Sequence, residues 1–261
     1  MSADDVHYPN YAGKHALDAF FGPSDFLAYL RRTGRLEHSA VPRGIVLCYQ
    51  RRLFDHVLKV EGLSRAEQSQ TFRGLVTLAA TGHQIGVVGE FGIGAPAAAA
   101  VLEEFIALGT RRFISIGTAG ALQETCPVGH TIVCDRAVRD EGVSHHYLPP
   151  GKFARSTPDL TGRLIGQLQR RSLDYSLGCS WTIDTPYRET RRRTAPLSVR
   201  GRPVRRDGGG SAVRRCRLVV SDSLADLVWD PQFHAPATLR SLIRLFEASV
   251  DALTVDDSEG N

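Results

Sequence analysis

The sequence predicts an α/β fold in a single domain, and three observations carry that expectation. Apolar, largely β-branched runs at Gly44–Cys48, Ile85–Phe91 and Arg112–Ile116 suit strands buried on both faces. Between the last two, Ala97 to Leu108 places small and aliphatic residues at helical spacing. At 261 residues the chain is long enough to bury a substantial core as one domain without disulfide staples.

The elements follow in order from these signals. The run IGVVGEF gives a strand that opens into Gly92-Ile93-Gly94-Ala95-Pro96. Pro96 fits the first turn of the following helix, where it has no intrahelical donor to lose. Gly109 ends that helix, and the strand Arg112–Ile116 then opens into Gly117-Thr118-Ala119-Gly120. The result is a βαβ unit with two glycine turns beyond its strand ends, where backbone amides and a helix N-terminus favour an anion. Tight turning and close packing alone would also use such glycines. A dinucleotide fingerprint is not met, since Gly92-x-Gly94 lacks a third glycine three residues on, and there is no P-loop lysine. Further along, Leu218 to Asp222 reads as a buried strand ending in a carboxylate, and LRSLIRLFEASVDAL as an amphipathic helix that packs on the sheet.

Composition narrows the function classes. The apolar runs fall short of a membrane span and MSADDVHYPNYAGKH has no hydrophobic signal core, so the cytoplasm is expected and no membrane partner. Five cysteines, at 48, 126, 134, 179 and 216, form neither a CxxC nor a Cys/His cluster. They read as buried thiols, with no metal site. The net charge of +4 does not imply nucleic acid, because residues 191–217 alone hold ten arginines against one aspartate and the remainder is therefore net acidic. That segment, RRRTAPLSVRGRPVRRDGGGSAVRRCR, has no hydrophobic period, no Lys and no Glu, and reads as an anomalous loop.

The stretch GIGAPAAAAVLEEFIALGTRRFISIGTAGAL, continued by VGHTIVCDRAVRDEGVSHHY, resembles the nucleoside phosphorylases, the family of purine and uridine phosphorylases and related nucleosidases. The resemblance implies a central mixed, largely parallel sheet flanked by helices over residues 41–255, preceded by an extension at 1–40. It implies phosphorolysis of a nucleoside, a purine before a pyrimidine, to free base and pentose 1-phosphate. Inorganic phosphate is then the co-substrate, with no other cofactor, and a homo-oligomer is expected. Hydrolysis on the same fold and a catalytically inactive nucleoside-binding remnant are the alternatives.

Site residues follow from the same resemblance. Gly94, Ser115, Gly117, Thr118 and Gly120 fall on the phosphate side. Many relatives carry an arginine where this chain has Ser115, a loss of bidentate charge that a hydroxyl cannot replace. Arg43, Arg51 or Arg52 could supply it, with Arg52 preferred. His145 and Tyr147 occupy a loop that approaches the nucleoside, although solvent exposure would also explain the histidines. Trp181 and Tyr187 could line a base pocket or pack in the core. Arg188 suits a carbonyl on the base edge, and Asp184 reads as structural. Asp222 corresponds to the general acid of the purine branch, which protonates the leaving base.

In relatives a Val-Glu-Met-Glu-Ala-Ala helix, whose second glutamate holds the ribose hydroxyls, falls where the arginine-rich segment stands. If those arginines use CGN codons, reading one nucleotide forward from Arg205 permits Val-Glu-Met-Glu-Ala-Ala-Leu-Leu-Phe. A frame change is the preferred explanation and an arginine-rich insertion the alternative. The ribose carboxylate would then be missing from the position of Gly208, and turnover impaired.

Overall fold

A computed structural model describes residues 12–36, 41–120, 128–188 and 236–255. Four strands form one sheet in the order β2-β3-β1-β4: β1 (Gly44–Cys48), β2 (Val76–Thr77), β3 (Ile85–Gly89) and β4 (Arg112–Ile116). The strands β3, β1 and β4 run parallel, and β2 pairs antiparallel with β3. A second sheet, in the order β6-β5-β7, contains β5 (Thr131–Asp140), β6 (Phe153–Arg155) and β7 (Tyr175–Ile183). There β5 and β7 are parallel and β6 antiparallel. The expected α/β class with mixed, largely parallel pairing is therefore present, its described strands divided between two sheets.

Both faces of the first sheet are covered, which is why its central strands read as continuous apolar runs. On β1, Val46 and Cys48 face one core and Ile45 and Leu47 the other. The first core is closed by helices α2 (Arg51–Glu61), α5 (Pro158–Arg170) and α6 (Pro236–Thr254) through Phe54, Val57, Leu164, Leu168, Leu242 and Leu245. The second lies under α4 (Ala95–Leu108), where Val101 and Phe105 meet Val88 and Phe113. Helix α1 (Pro23–Arg32) packs on α4 and buries Leu27 and Leu30. A short α3 (Arg65–Ser69) is fixed by a capping box between Ser64 and Glu67.

Three expectations change in detail. The strand from Ile85 ends at Gly89 instead of Phe91, because Glu90 turns the chain through a left-handed φ of 57°. Helix α4 starts at Ala95, two residues early, and Gly109 ends it at φ 119° as its position suggested. Cys48 and Cys134 are buried thiols, but Cys179 is exposed, since it lies on β7 at an edge of the three-stranded sheet. Cys126 and Cys216 lie outside the described residues, as do Leu218 to Asp222 and the whole of 191–217.

Candidate functional site

The parallel strands of the first sheet end at one level. In register, Cys48 stands beside Gly89 on one side and Ile116 on the other. The segments that follow, Tyr49-Gln50, Glu90 to Gly94 and Gly117 to Gly120, therefore emerge together at the carboxyl edge, where open α/β sheets bind ligands. They are tied to one another. The Tyr49 amide donates to the Ile116 carbonyl at 2.9 Å. The Gln50 side-chain amide donates to the Thr118 hydroxyl. The Tyr49 and Phe91 rings meet edge to face, 5.0 Å between centroids.

Glycine is required here for two reasons. Gly94 sits at φ 95°, ψ 166°, a region that residues with a Cβ essentially do not enter, and it sets the start of α4. Gly89 admits the Phe54 ring, which a Cβ would meet at 2.6 Å. The turn after β3 thus leads straight into the N-terminus of a 14-residue helix, where first-turn amides and the helix dipole favour an anion.

Charge is distributed unevenly around these turns. Arg51 and Arg52 open α2 at the same edge. Arg43 precedes β1 and bonds by its backbone to Gln84 and Arg111 at the opposite edge. Glu90 lies between Arg51, at 3.8 Å, and Arg65, which also pairs with Asp55. Ser115 is buried and alternates with Ile114 and Ile116, so it lies on the α4 side of the sheet with Phe113.

A second group of side chains gathers where β5 ends. Arg139 is buried, and every nitrogen of its guanidinium is engaged by the loop ahead of it. Nε donates to the Ser144 hydroxyl at 2.9 Å, Nη1 to the Pro149 carbonyl at 2.7 Å, and Nη2 to the carbonyls of Ser144 and Leu148. Burial pushes this guanidinium down from its ordinary value, and the nearby Glu141 opposes the shift. The Glu141 carboxylate, itself buried, accepts from the Ser144 amide at 2.9 Å. From β7, the Trp181 indole donates to Asp140 at 3.0 Å, and Asp184 accepts from the Gly142 amide at 2.7 Å.

These clamps hold the loop that carries the predicted histidines. His145 turns its Nε2 back to the Arg139 carbonyl at 3.3 Å, and His146 lies 3.4 Å from the Lys14 amine. Burial and then a hydrogen bond to Glu103 of α4 push the Tyr147 hydroxyl up to about 12. Trp181 is half-buried and belongs to this clamp, whereas Tyr187 and Arg188 are exposed in a short turn, Pro186–Arg188. Asp222 lies outside the described residues. Among the described residues no three His, Cys, Asp or Glu side chains converge as a metal site would require.

The sequence profile of the phosphorylase superfamily matches residues 23–206. The chain belongs to this superfamily. Among relatives of the superfamily, a uridine phosphorylase of Haemophilus influenzae is 35% identical over 101 residues, 39% of this chain and 40% of that protein. A guanosine phosphorylase of Halorubrum lacusprofundi is 32% identical over 99 residues, 38% and 41% of the two chains. The aligned part thus spans about two fifths of these curated relatives. Likeness of fold extends further. A purine nucleoside phosphorylase of Toxoplasma gondii, in complex with immucillin-H, superposes with a TM-score of 0.61 at 17% identity, covering 82% of this chain and 91% of that one. A uridine phosphorylase of Vibrio fischeri gives 0.56 at 18%, covering 82% and 90%.

Of the predicted residues, Gly94, Gly117, Thr118, Gly120 and Arg52 come from segments that open on the carboxyl edge of the first sheet, while His145, Tyr147 and Trp181 gather at the end of β5. The sequence alone does not single out Gln50, Tyr49, Glu90 or Arg139. Gln50 has a usable signal, its place between a buried strand and a helix start; Arg139 has none, because one arginine in a strand looks like any other.

Proposed function

We propose that this chain is built for phosphorolysis of purine nucleosides and that residues 191–217 impair its turnover. The observation that carries the reading is the joining of three strand ends at one edge, with Gln50 bonded to Thr118 and α4 beginning at Gly94. In this reading phosphate rests against Gly94, Gly117, Thr118 and Gly120, with Arg52 supplying charge and Ser115 beneath. The nucleoside lies toward His145, Tyr147, Trp181, Tyr187 and Arg188. Phosphate oxygen attacks the anomeric carbon, the glycosidic bond breaks toward the base, and Asp222 gives the departing purine a proton. The products are free base and pentose 1-phosphate, and phosphate is the only co-substrate. We place the reaction in a cytoplasmic homo-oligomer.

Impairment follows from the missing ribose carboxylate at Gly208. The superfamily match ending at residue 206, inside the arginine-rich segment, supports a change of reading frame there. Ser115 favours a second reading, hydrolysis, because no guanidinium stands at that strand position to hold phosphate.

Inorganic phosphate should raise the melting temperature of the folded chain, since a ligand that binds only the native state stabilises it. No change across millimolar phosphate would count against phosphorolysis. Product analysis on a frame-restored chain then separates pentose 1-phosphate from free pentose, and Asp222→Asn there should lower purine nucleoside cleavage roughly 100-fold.

A further inference from the structure

Arg139 is an unusual expenditure of a charged group. It is buried, its hydrogen bonds run to neutral acceptors, and all of those acceptors belong to residues 144–149. An arginine needed only for strand stability would not have to reach every turn of one loop. Its own carbonyl does the rest, receiving the His145 ring at Nε2. A carbonyl oxygen can only accept, so that nitrogen carries a proton, and of the two neutral tautomers the contact selects the one whose Nδ1 is an acceptor. Side chain and main chain of one residue thus fix both the path of the loop and the tautomer of its histidine.

We propose that Arg139 is a positioning residue for the nucleoside: it holds the 141–149 loop so that His145, locked with Nε2 protonated, offers Nδ1 to a hydrogen-bond donor of the nucleoside. The proposal rests on the reading of His145 as a nucleoside contact. Lysine cannot replace this arginine, because an ammonium lacks the planar fork that meets Ser144, Leu148 and Pro149 at once.

Long-range proton–nitrogen correlation spectra of the full chain report the His145 tautomer, and inosine-dependent melting reports nucleoside binding without requiring turnover. The wild-type chain should show the Nε2–H form and a melting shift with millimolar inosine. Arg139→Lys should mix the tautomers and weaken inosine about tenfold while leaving the phosphate-dependent shift unchanged. Ser144→Ala, which removes only the hydroxyl acceptor, should weaken inosine about threefold and serves as the deciding variant if the lysine one does not fold. Arg171→Ala, on the far ion pairs with Glu247 and Asp251, should alter neither readout. A wild-type Nδ1–H tautomer, or variants that leave inosine affinity as it was, overturns the proposal alone. A wild-type chain that binds phosphate but no inosine overturns the nucleoside reading, and the proposal with it.

Discussion

The two ends of the candidate site are built by opposite means. At the first sheet, shape comes from the main chain: Gly94 takes a backbone conformation closed to other residues, Gly89 lets Phe54 in, and the strands stop level with one another. At the second sheet, shape comes from side chains: Arg139, Glu141 and Asp184 each grip one short loop, and Trp181 bonds Asp140 at the strand end from which it leaves. A main-chain device tolerates no Cβ yet needs little from its neighbours. A side-chain device keeps its backbone ordinary and fails when one partner is lost. On the reading proposed above, the first kind serves phosphate, a small and constant anion, and the second the nucleoside, whose edges must be matched.

The largest break should come at the main-chain end. Gly89→Val puts a branched side chain into the Phe54 ring, and overpacking of this kind costs roughly 3 kcal/mol, read as a fall in the urea midpoint. A destabilisation below about 0.5 kcal/mol would mean that α2 can move away from β3 freely. Gly94→Ala should cost less, about 2 kcal/mol, because the strain is conformational and a Cβ would meet only Pro96, at 3.6 Å. It should also abolish the phosphate-dependent rise in melting temperature while leaving the inosine-dependent one measurable. Loss of both would merge the two ends into one.

At the side-chain end the expected effects are smaller. Trp181→Phe keeps the ring but removes the donor to Asp140, a change of about 1 kcal/mol in stability. Inosine affinity should fall and phosphate affinity stay.

Alkaline titration offers the finest comparison, since folding raises the Cys48 thiol at the first end and both the Tyr147 hydroxyl and, through burial, the Cys179 thiol on the second sheet. Burial pushes the Cys48 thiol up from 9.0 to about 12, and burial with Glu103 pushes Tyr147 up from 10.0 to about 12. An acid raised in the native state adds stability that is complete below its unfolded value and is lost as pH climbs toward the folded one. Stability should therefore decline from about pH 9 toward about pH 12. Cys48→Ala should lessen the decline from about pH 9 upward, where the raised Cys179 thiol still contributes, and Tyr147→Phe should lessen only the part above about pH 10, as urea midpoints across the range would report. Identical slopes in wild type and both variants would remove these two groups as the cause.

What the sequence makes legible follows the same division. The strands Gly44–Cys48 and Arg112–Ile116 match their expected bounds because burial on both faces leaves an unbroken apolar run. Glycine turns are legible for a related reason: only one residue type fits, so its presence is informative. The clamp is not legible. Nothing in the spacing of Arg139, Trp181 and Asp184 says that a bulged β5 and a parallel β7 bring them to one loop. Glu90 reads as strand from sequence because left-handed backbone in a glutamate leaves no trace in composition.

One consequence concerns the C-terminal helix. Residues 236–254 come after the anomalous segment, yet Leu242, Leu245, Ala248, Ala252 and Leu253 complete the core against α2, α5 and β1. Arg112 and Arg163 close its last turn, both donating to the Val255 carbonyl. A message that slipped and never recovered would deliver a protein with an open apolar trough along its sheet, fit only for degradation. On the frame-change reading proposed above, a second, correcting slip must therefore lie ahead of this helix, so that the segment is bounded on both sides by the original frame.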